Sequence, residues 1–310
     1  MVDTRIEAPL SNDDLVAVTR LHDAAEAADG HPALNEAVWR DLDRPRAGDS
    51  AGVLATASAG GPLVGFAHVA RSDSFSPPHW AVGIVVAPDA RDGAVAHALL
   101  ERAADHVRAH GGGTAVLWLL DPDAALDAAA TDAGFRRERE LLQQRVPLPV
   151  REEPRWPDGI TVRTFVPGQD DTAWLEVNNR AFADHPEQGG WTEETLRRRL
   201  DEPWFDPAGF LLALDAAGLA GFCWTKVHPA TPDEPEQGEI FVIGVDPDRQ
   251  GIGLGRALVV GGLAHLAGRG IGTGMLFVDA ANTGAVHLYE AIGFRTQRSD
   301  RSYAREVPPG

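Results

Sequence analysis

The chain has 310 residues, and its 46 acidic and 28 basic residues give a formal net charge of −18 at pH 7. This negative charge argues against nucleic acid and anionic membrane as partners, because both are bound by clusters of lysine and arginine, and it is compatible with a cationic small molecule. The length suits two domains of ordinary size, each with its own core. No stretch approaches the roughly 20 apolar residues of a membrane span, and the N-terminus, with Asp3 and Glu7, lacks a signal-peptide pattern, so we expect a cytoplasmic protein and a monomer.

The elements predicted along the chain form two copies of one pattern. Val86 corresponds to Val245 and Phe135 to Phe294, each pair being 159 positions apart (245 − 86). Each copy shows amphipathic helices, two or three strands, a turn with a helix, a strand, a short helix and a final strand. In the second copy, strands are predicted at 160–165, 210–214, 220–227, 239–245, 275–279 and 295–301, and helices at 170–183, 193–200, 254–268 and 283–292.

These copies predict two domains joined by a linker. Residues 147–159 contain four prolines and several charges, which is typical of a linker. We therefore expect a first lobe at 1–147, a linker at 148–159 and a second lobe at 160–310. The predicted fold class is α/β, with two tandem lobes that are each a mixed, partly antiparallel sheet flanked by helices.

The spacing of the cysteine, the histidines and the lysine does not by itself indicate a catalytic or metal site. Cys223, the single cysteine, stands between aromatic residues in an apolar strand, so a packed and inert thiol is predicted. The eleven histidines show no metal-ligand spacing, and His185 and His228, each followed by proline, are typical of turns, so no metal is predicted. Lys226 is the only lysine: either this position requires a compact ammonium or chance placed it there.

A phosphate-binding turn is predicted after the strand at 239–245. Glycines follow at Gly251, Gly253 and Gly255 where a helix begins, so unpaired backbone N–H groups and the positive end of the helix dipole point at one spot. Glycine suits the turn because a Cβ would hold phosphate oxygens off the backbone. A Rossmann fingerprint would need a glycine in place of Arg256, and the Gly-Lys-Ser/Thr of a Walker loop is absent from the sequence.

Two motifs in a fixed order carry a family resemblance. Residues 250–255 have the pattern Gln-x-x-Gly-x-Gly, and residues 282–294 have the pattern Asn-x-x-Ala-x-x-x-Tyr-x-x-x-Gly-Phe. Together they resemble the acetyl-CoA site of the GCN5-related N-acetyltransferases. The resemblance implies that acetyl-CoA lies on Ile243, Gly244, Val245, Gln250, Gly251, Ile252, Gly253, Leu254, Gly255, Arg256, Asn282, Thr283, Gly284, Ala285, Val286 and His287. It also implies a second, non-reacting acetyl-CoA on Ile84, Val85, Val86, Asp92, Gly93, Ala94, Val95, Ala96 and His97.

Two side chains are candidates for the proton transfers of acetylation. Glu239 opens the strand before the turn, where a carboxylate can draw a proton from an ammonium through water; the alternative is a solvated charge at a strand end. Tyr289 resembles the family's tyrosine that protonates the departing thiolate; the alternative is a core aromatic. The backbone at 243–245 can stabilise the oxyanion. Trp80 and Ala130 occupy the equivalent positions in the first lobe, which is therefore predicted to be non-catalytic.

A closer resemblance indicates the acceptor. It is to tandem members of the family that acetylate the cysteinyl amine of cysteinyl-glucosaminyl-inositol, and it covers residues 181–191, 203–207, 222–229 and 238–245. It implies that the acceptor faces Glu36, Glu187, Lys226 and Glu239, with Phe277 where those members usually have a substrate-contacting tyrosine. Two other functions stay open: acetylation of another small amine or a protein N-terminus, and a non-enzymatic acyl-CoA-binding sensor.

Overall fold

The computed structural model describes residues 2–43, 50–72, 78–183, 188–231 and 234–310. The chain divides into two compact units, the first comprising Met1–Leu141 with Arg298–Gly310 and the second Leu142–Gln297. Each unit is a mixed β-sheet flanked by helices, so the predicted α/β fold class with two tandem lobes is confirmed.

The first unit is built around strands that follow sequence order. Its described elements are β1 (Asp3–Glu7), α1 (Asn12–Asp29), α2 (Glu36–Asp43), β2 (Ser50–Thr56), β3 (Leu63–Ser72), β4 (His79–Val86), α3 (Ala94–Ala109), β5 (Gly113–Leu119), α4 (Ala124–Asp132) and the start of β6 (Arg136–Pro147). Neighbours from β1 to β4 are antiparallel, whereas β4 and β5 are parallel. Alternate strand residues pack under α3 on one face and under α1 on the other.

The second unit repeats this arrangement. Its described elements are the end of β6, β7 (Thr161–Thr164), α5 (Asp171–Ala181), α6 (Glu193–Leu200), β8 (Phe210–Asp215), β9 (Gly218–His228), β10 (Gln237–Val245), α7 (Leu254–Gly268), β11 (Thr273–Asp279), α8 (Thr283–Ile292) and the start of β12 (Arg295–Val307). The strand order is β6-β11-β10-β9-β8-β7. One face packs against α7, and the other face carries an aromatic cluster that α5 helps to cover.

Three helices begin and end at the predicted residues, namely α6, α7 and α8. Local signals explain this agreement. The Thr192 side chain caps α6 and the Asn282 side chain caps α8, each accepting a hydrogen bond from a backbone N–H of the first turn. Gly293, with a φ of +119°, ends α8 in a conformation that favours glycine.

The division into units differs from the predicted boundaries at both ends of the second lobe. The last seven residues of β12, from Arg301 to Val307, pair with β5 of the first unit, so Arg298–Gly310 belongs to that unit. Residues predicted as a linker pack against the second core instead of forming a spacer. Leu148 and Trp156 are partly buried there, and the Leu148 N–H donates to the Gly272 carbonyl at 3.0 Å.

Candidate active site

The second unit contains an irregular strand, β10. Its antiparallel pairing with β9 shifts by one residue at Phe241, which forms a β-bulge. Side chains alternate between the faces of a regular strand, so the bulge reverses the alternation beyond it. Before the bulge Glu239 lies opposite Lys226, and after it Ile243 lies opposite Cys223. Glu239 and Ile243, four positions apart, therefore lie on opposite faces of the sheet.

Strand β10 also parts from its parallel neighbour β11 at this place. The ladder between them joins Gly238 to Gly274 and Glu239 to Met275, and in the described structure it ends there. From 240 to 245, the edge of β10 that faces β11 thus presents backbone N–H and C=O groups without a strand partner. An open edge of this kind binds an extended molecule through main-chain hydrogen bonds.

The turn between β10 and α7 presents further backbone donors. Gly251 and Gly253 have φ angles of +81° and +84°, and a Cβ at either position would point into open space. Gly253 is the N-cap of α7 and provides no side-chain cap, and the first turn of this helix carries no acidic residue. Within the described residues, the first N–H groups of α7 are therefore left for a ligand, and the helix dipole makes their surroundings positive. This geometry suits a pyrophosphate.

The predicted acetyl-CoA residues differ in which chemical group they can present to a ligand. Ile252 presents an apolar side chain to solvent, with an exposed fraction of 52%. Arg256 places its guanidinium 3.0 Å from the carboxylate of Glu152, and its backbone N–H is one of the donors of the first turn of α7. The Asn282 side chain accepts from the Ala285 N–H at 3.2 Å. The others lie on β10, in the turn and on the first residues of α7 and α8: Ile243, Gly244, Val245, Gln250, Leu254, Gly255, Thr283, Gly284, Val286 and His287.

Glu239 is a buried carboxylate held by a histidine. Its exposed fraction is 7%, and its Oε2 lies 2.7 Å from Nε2 of His228. A solvated charge at a strand end does not fit this burial. His228 and Lys226 are two positions apart on β9, so their side chains share one face with Glu239. The prediction that His228 begins a turn is wrong: it is the last residue of β9, in the extended conformation favoured before proline.

The single lysine lies among aromatic rings. Lys226 Nζ is 5.1 Å from the ring centroid of Trp204 and 5.8 Å from that of Phe241, the residue that forms the bulge. Cation–π attraction of this kind positions an ammonium without neutralising it. No described carboxylate forms an ion pair with Lys226, which leaves its charge available to an acceptor molecule.

Tyr289 lies in the core beside α7. Its exposed fraction is 7%, and its ring contacts that of Phe294 edge-on at 5.8 Å. Burial raises the pKa of Tyr289 to about 12, so its hydroxyl is protonated at neutral pH and can donate to a ligand atom. Burial also raises the pKa of the nearby Cys223 thiol to about 12, which agrees with the predicted inert cysteine.

The two candidate proton-transfer residues lie on opposite faces of the sheet. Glu239 is on the face of the aromatic cluster that includes Trp224, whereas Tyr289 packs in the other cluster with Cys223. The β10–β11 ladder ends just after Glu239, so in the described structure no ladder joins these strands beyond that point. A molecule that contacts both Glu239 and Tyr289 must therefore lie between β10 and β11, where it can reach the two faces of the sheet.

The first unit differs from this arrangement at each corresponding place. Trp80, at the position of Glu239, is buried and donates its indole N–H to the Gly112 carbonyl at 3.1 Å. Ala130, at the position of Tyr289, is fully buried. Neither side chain can transfer a proton. The β4–β5 ladder continues for four residue pairs, and β4 pairs with β3 without a bulge.

In the turn of the first unit, the side chain of a turn residue accepts a hydrogen bond from one of the backbone donors. The Asp92 carboxylate accepts from the Ala94 N–H at 3.0 Å, which takes up a donor of the kind left free in the second unit. Nearby is a cavity of about 190 Å³. It is lined in part by the predicted residues Ile84, Val85, Val86, Gly93 and Ala96. The other predicted residues, Val95 and His97, lie on the first turn of α3.

Three predicted acceptor residues remain to be placed. Glu187 lies outside the described residues, and so does the side chain of Glu36, whose backbone begins α2. Phe277 is partly buried on β11, two positions after Met275, the residue paired with Glu239. Strand alternation places Phe277 on the same face as Glu239.

Sequence reasoning missed His228, Trp204 and the bulge at Phe241. His228 lies one residue beyond the strand predicted at 220–227, and continuing the alternation of that strand from Lys226 would have placed it on the same face as Lys226. No local signal indicated the bulge, which depends on the register of β9 and β10. Trp204 lies in the segment 203–207 that carries the closer resemblance, but no role was predicted for it.

Two further features concern the residues that the structure describes as a whole. His22, Asp23 and Glu26 on α1 each offer a possible metal-ligand atom, and these atoms lie within 4.8 Å of one another. This group was not singled out from the sequence. None of the helices in the described ranges is long and apolar enough to cross a membrane.

Known proteins match the chain over most of its length. Mycothiol acetyltransferase of Thermobispora bispora is 44% identical over 303 residues, covering 97% of this chain and 99% of the relative. Mycothiol acetyltransferase of Streptomyces coelicolor is 44% identical over 308 residues, covering 97% and 94%. Among solved structures, a GCN5-related N-acetyltransferase from Sphaerobacter thermophilus matches with a TM-score of 0.76 and 26% identity, covering 99% of this chain and 96% of that chain.

A tandem GNAT protein from the clavulanic acid biosynthesis pathway matches the whole of both chains with a TM-score of 0.69 and 19% identity, which bears on the fold alone. The family model described as acetyltransferase (GNAT) family matches twice, at residues 18–135 and 174–294, one match in each half of the repeat. The chain therefore belongs to the acetyltransferase (GNAT) family, and it is a tandem member.

Proposed function

We propose that the second unit transfers the acetyl group of acetyl-CoA to the cysteinyl amine of cysteinyl-glucosaminyl-inositol, which yields mycothiol. The observation that carries the proposal is the buried carboxylate of Glu239 at the point where β10 and β11 part. The full-length similarity to mycothiol acetyltransferases supports this acceptor, and so do the residues that resemble them in the segment 222–229.

Acetyl-CoA fits the groups that the second unit presents. The pyrophosphate would bind the N–H groups of the turn at Gly251 to Gly255, where a glycine cradle and a helix dipole meet. The pantetheine would bind the open edge of β10 from Ile243 to Val245. The bound thioester supplies the acyl group, and the chain's own residues position it and move protons.

Glu239 would act as the general base. An amine attacks a thioester only in its neutral form, and a carboxylate next to the ammonium accepts the proton, directly or through water. Lys226, opposite Glu239 and positioned by aromatic rings, would contact acceptor hydroxyls, as a compact ammonium can. Glu187 and Phe277 would complete the acceptor contacts in this unit.

Backbone donors of β10 would stabilise the negative charge on the acetyl oxygen. Tyr289 would then donate to the departing sulfur. A thiol has an ordinary pKa of about 8.5, well below the value of about 12 for Tyr289, so a hydrogen bond to the sulfur is favoured over complete proton transfer.

The test is turnover with a panel of amines. The protein is incubated with acetyl-CoA and cysteinyl-glucosaminyl-inositol, and both the free CoA thiol and the acetylated product are followed. The panel includes glucosaminyl-inositol without the cysteinyl group, a polyamine, an aminoglycoside and a peptide with a free N-terminus. We expect the cysteinyl compound to be preferred by at least about a hundredfold in kcat/KM, which is within the discrimination that hydrogen-bonding sites reach.

Preference for another amine in the panel would overturn the acceptor and keep the enzyme class. Binding of acetyl-CoA without turnover of any amine would instead indicate an acyl-CoA-binding protein that is not an enzyme.

A further inference from the structure

The acetylation reaction leaves one proton that must reach solvent. The ammonium of the acceptor loses two protons; one ends on the CoA thiol and the other is released. If Glu239 accepts the released proton, the carboxylate must lose it before the next turnover. Because only 10% of its side chain is exposed, direct transfer to bulk water is hindered. The site therefore needs a route for this proton.

His228 lies on such a route. Its Nε2 is 2.7 Å from Oε2 of Glu239, a normal hydrogen-bond distance. The side chain of His228 is 33% exposed, three times the fraction of Glu239. The contact thus connects a buried carboxylate to a ring that water can reach.

The strands hold this contact in place. His228 pairs with Gln237 across the β9–β10 ladder, and Glu239 is two positions further along β10 on the same face. Charged groups at this end of the ladder include Lys226, opposite Glu239, and the exposed Glu236. Glu234 accepts from the Gln237 side chain and pairs with Arg145 at 2.7 Å. The described residues offer Glu239 no second imidazole.

We propose that His228 carries the proton from Glu239 to solvent, an inference that rests on the proposed function. The Glu239 carboxylic O–H gives its proton to Nε2 of the neutral imidazole, which becomes imidazolium. The ring then loses the proton on Nδ1 to water, and exchange with water restores the accepting tautomer. Imidazole suits this step because one ring nitrogen can accept a proton while the other releases one. His228 touches no reacting atom, so it is a positioning residue that acts through Glu239.

The test is His228→Gln. The glutamine amide can donate an N–H to the Glu239 carboxylate or accept from its protonated form, so the carboxyl group stays oriented, but the amide cannot take up a proton. We expect kcat in dilute, non-imidazole buffer to fall by about tenfold or more, with the acetyl-CoA and acceptor KM values changed less than about twofold. Adding about 100 mM imidazole should restore most of kcat, because a small base in solution can take the proton in place of the missing ring. A purely structural role would show no rescue.

Controls separate this inference from the proposed function. His110→Gln makes the same chemical change at an exposed histidine that caps the end of α3 in the first unit, and it should leave kcat and its buffer dependence unchanged. In a Glu239→Gln background, His228→Gln should cause no further loss, since the two residues act in series. If His228→Gln does not fold, His228→Asn tests the same point.

A kcat of His228→Gln equal to that of the parent at every buffer concentration, or one that imidazole does not raise, overturns the proton route. If Glu239→Gln is inactive at the same time, the general base of the proposed function stands. If Glu239→Gln is fully active, both the proton route and the general base of the proposed function are overturned.

Discussion

Alanine substitutions at two glycines of the α7 turn should change stability in opposite directions. Gly253 has a φ of +84°, and placing a side chain in the left-handed region costs about 1–2 kcal/mol. Gly255 lies inside the first turn with ordinary helical φ, and a Cβ there would meet the Val245 and Leu288 side chains at 3.8 and 4.0 Å, ordinary contact distances. Alanine in a helix is favoured over glycine by about 0.5–1 kcal/mol. Gly253→Ala should therefore lower the free energy of unfolding, and Gly255→Ala should raise it.

Both substitutions should nevertheless weaken acetyl-CoA binding. Each adds a methyl group beside the N–H groups that we assign to the pyrophosphate, and a hydrogen bond to a charged group contributes about 1.5–3 kcal/mol. Loss of one such bond raises the Kd by about ten- to 150-fold. The combination expected for Gly255→Ala, higher stability with lower affinity, separates ligand contact from folding.

The assay is urea unfolding without acetyl-CoA, together with calorimetric titration of acetyl-CoA. Gly270→Ala is the matched control, because Gly270 has a φ of +85° and open space around it but lies beyond the far end of α7. It should lose about 1–2 kcal/mol of stability and bind acetyl-CoA normally. An unchanged Kd for Gly255→Ala would refute the placement of the pyrophosphate on this turn.

Three further predictions concern single side chains. Tyr289→Phe should lower the single-turnover rate by about ten- to a hundredfold with acetyl-CoA affinity nearly unchanged, because only the donor to the sulfur is lost. An unaltered rate in rapid-quench experiments would show that Tyr289 only packs in the core. Lys226→Arg should raise the acceptor KM about tenfold and leave the acetyl-CoA KM unchanged, since a broad guanidinium does not replace a compact ammonium. Equal acceptor KM values for the variant and the parent would mean that the position does not require a lysine. Burial of His106 lowers its pKa to about 4, so below pH 6.5 the unfolded chain takes up a proton that the folded chain does not, and the free energy of unfolding should fall by about 1–2 kcal/mol from pH 6.5 to 5. Urea unfolding of His106→Gln that shows the same fall would contradict this cause.

Local chemistry made much of the second unit predictable from the sequence. Helix α8 could be bounded because Asn282 caps one end and Gly293 ends the other, and both signals lie within a few residues of the helix. The Gly251 to Gly255 turn was predictable for the same reason, since positive φ angles at its first two glycines are a local requirement.

Features set by pairing between distant segments were not predictable. The bulge at Phe241 depends on the register of β10 against β9, and the hydrogen bond between His228 and Glu239 depends on that register too. The final strand was predicted, but its pairing with β5 of the first unit was not, because a strand's own pattern does not specify its partner. The roles of the predicted site residues remain predictions.

The most direct test of the account is Glu239→Gln, which removes proton acceptance and changes little volume. At pH 7 we expect acetyl transfer to fall by about a hundred- to ten-thousandfold while the Kd for acetyl-CoA stays within about threefold, and raising the pH should restore part of the rate by deprotonating the amine directly. A rate within about threefold of the parent at pH 7 would contradict Glu239 as the general base.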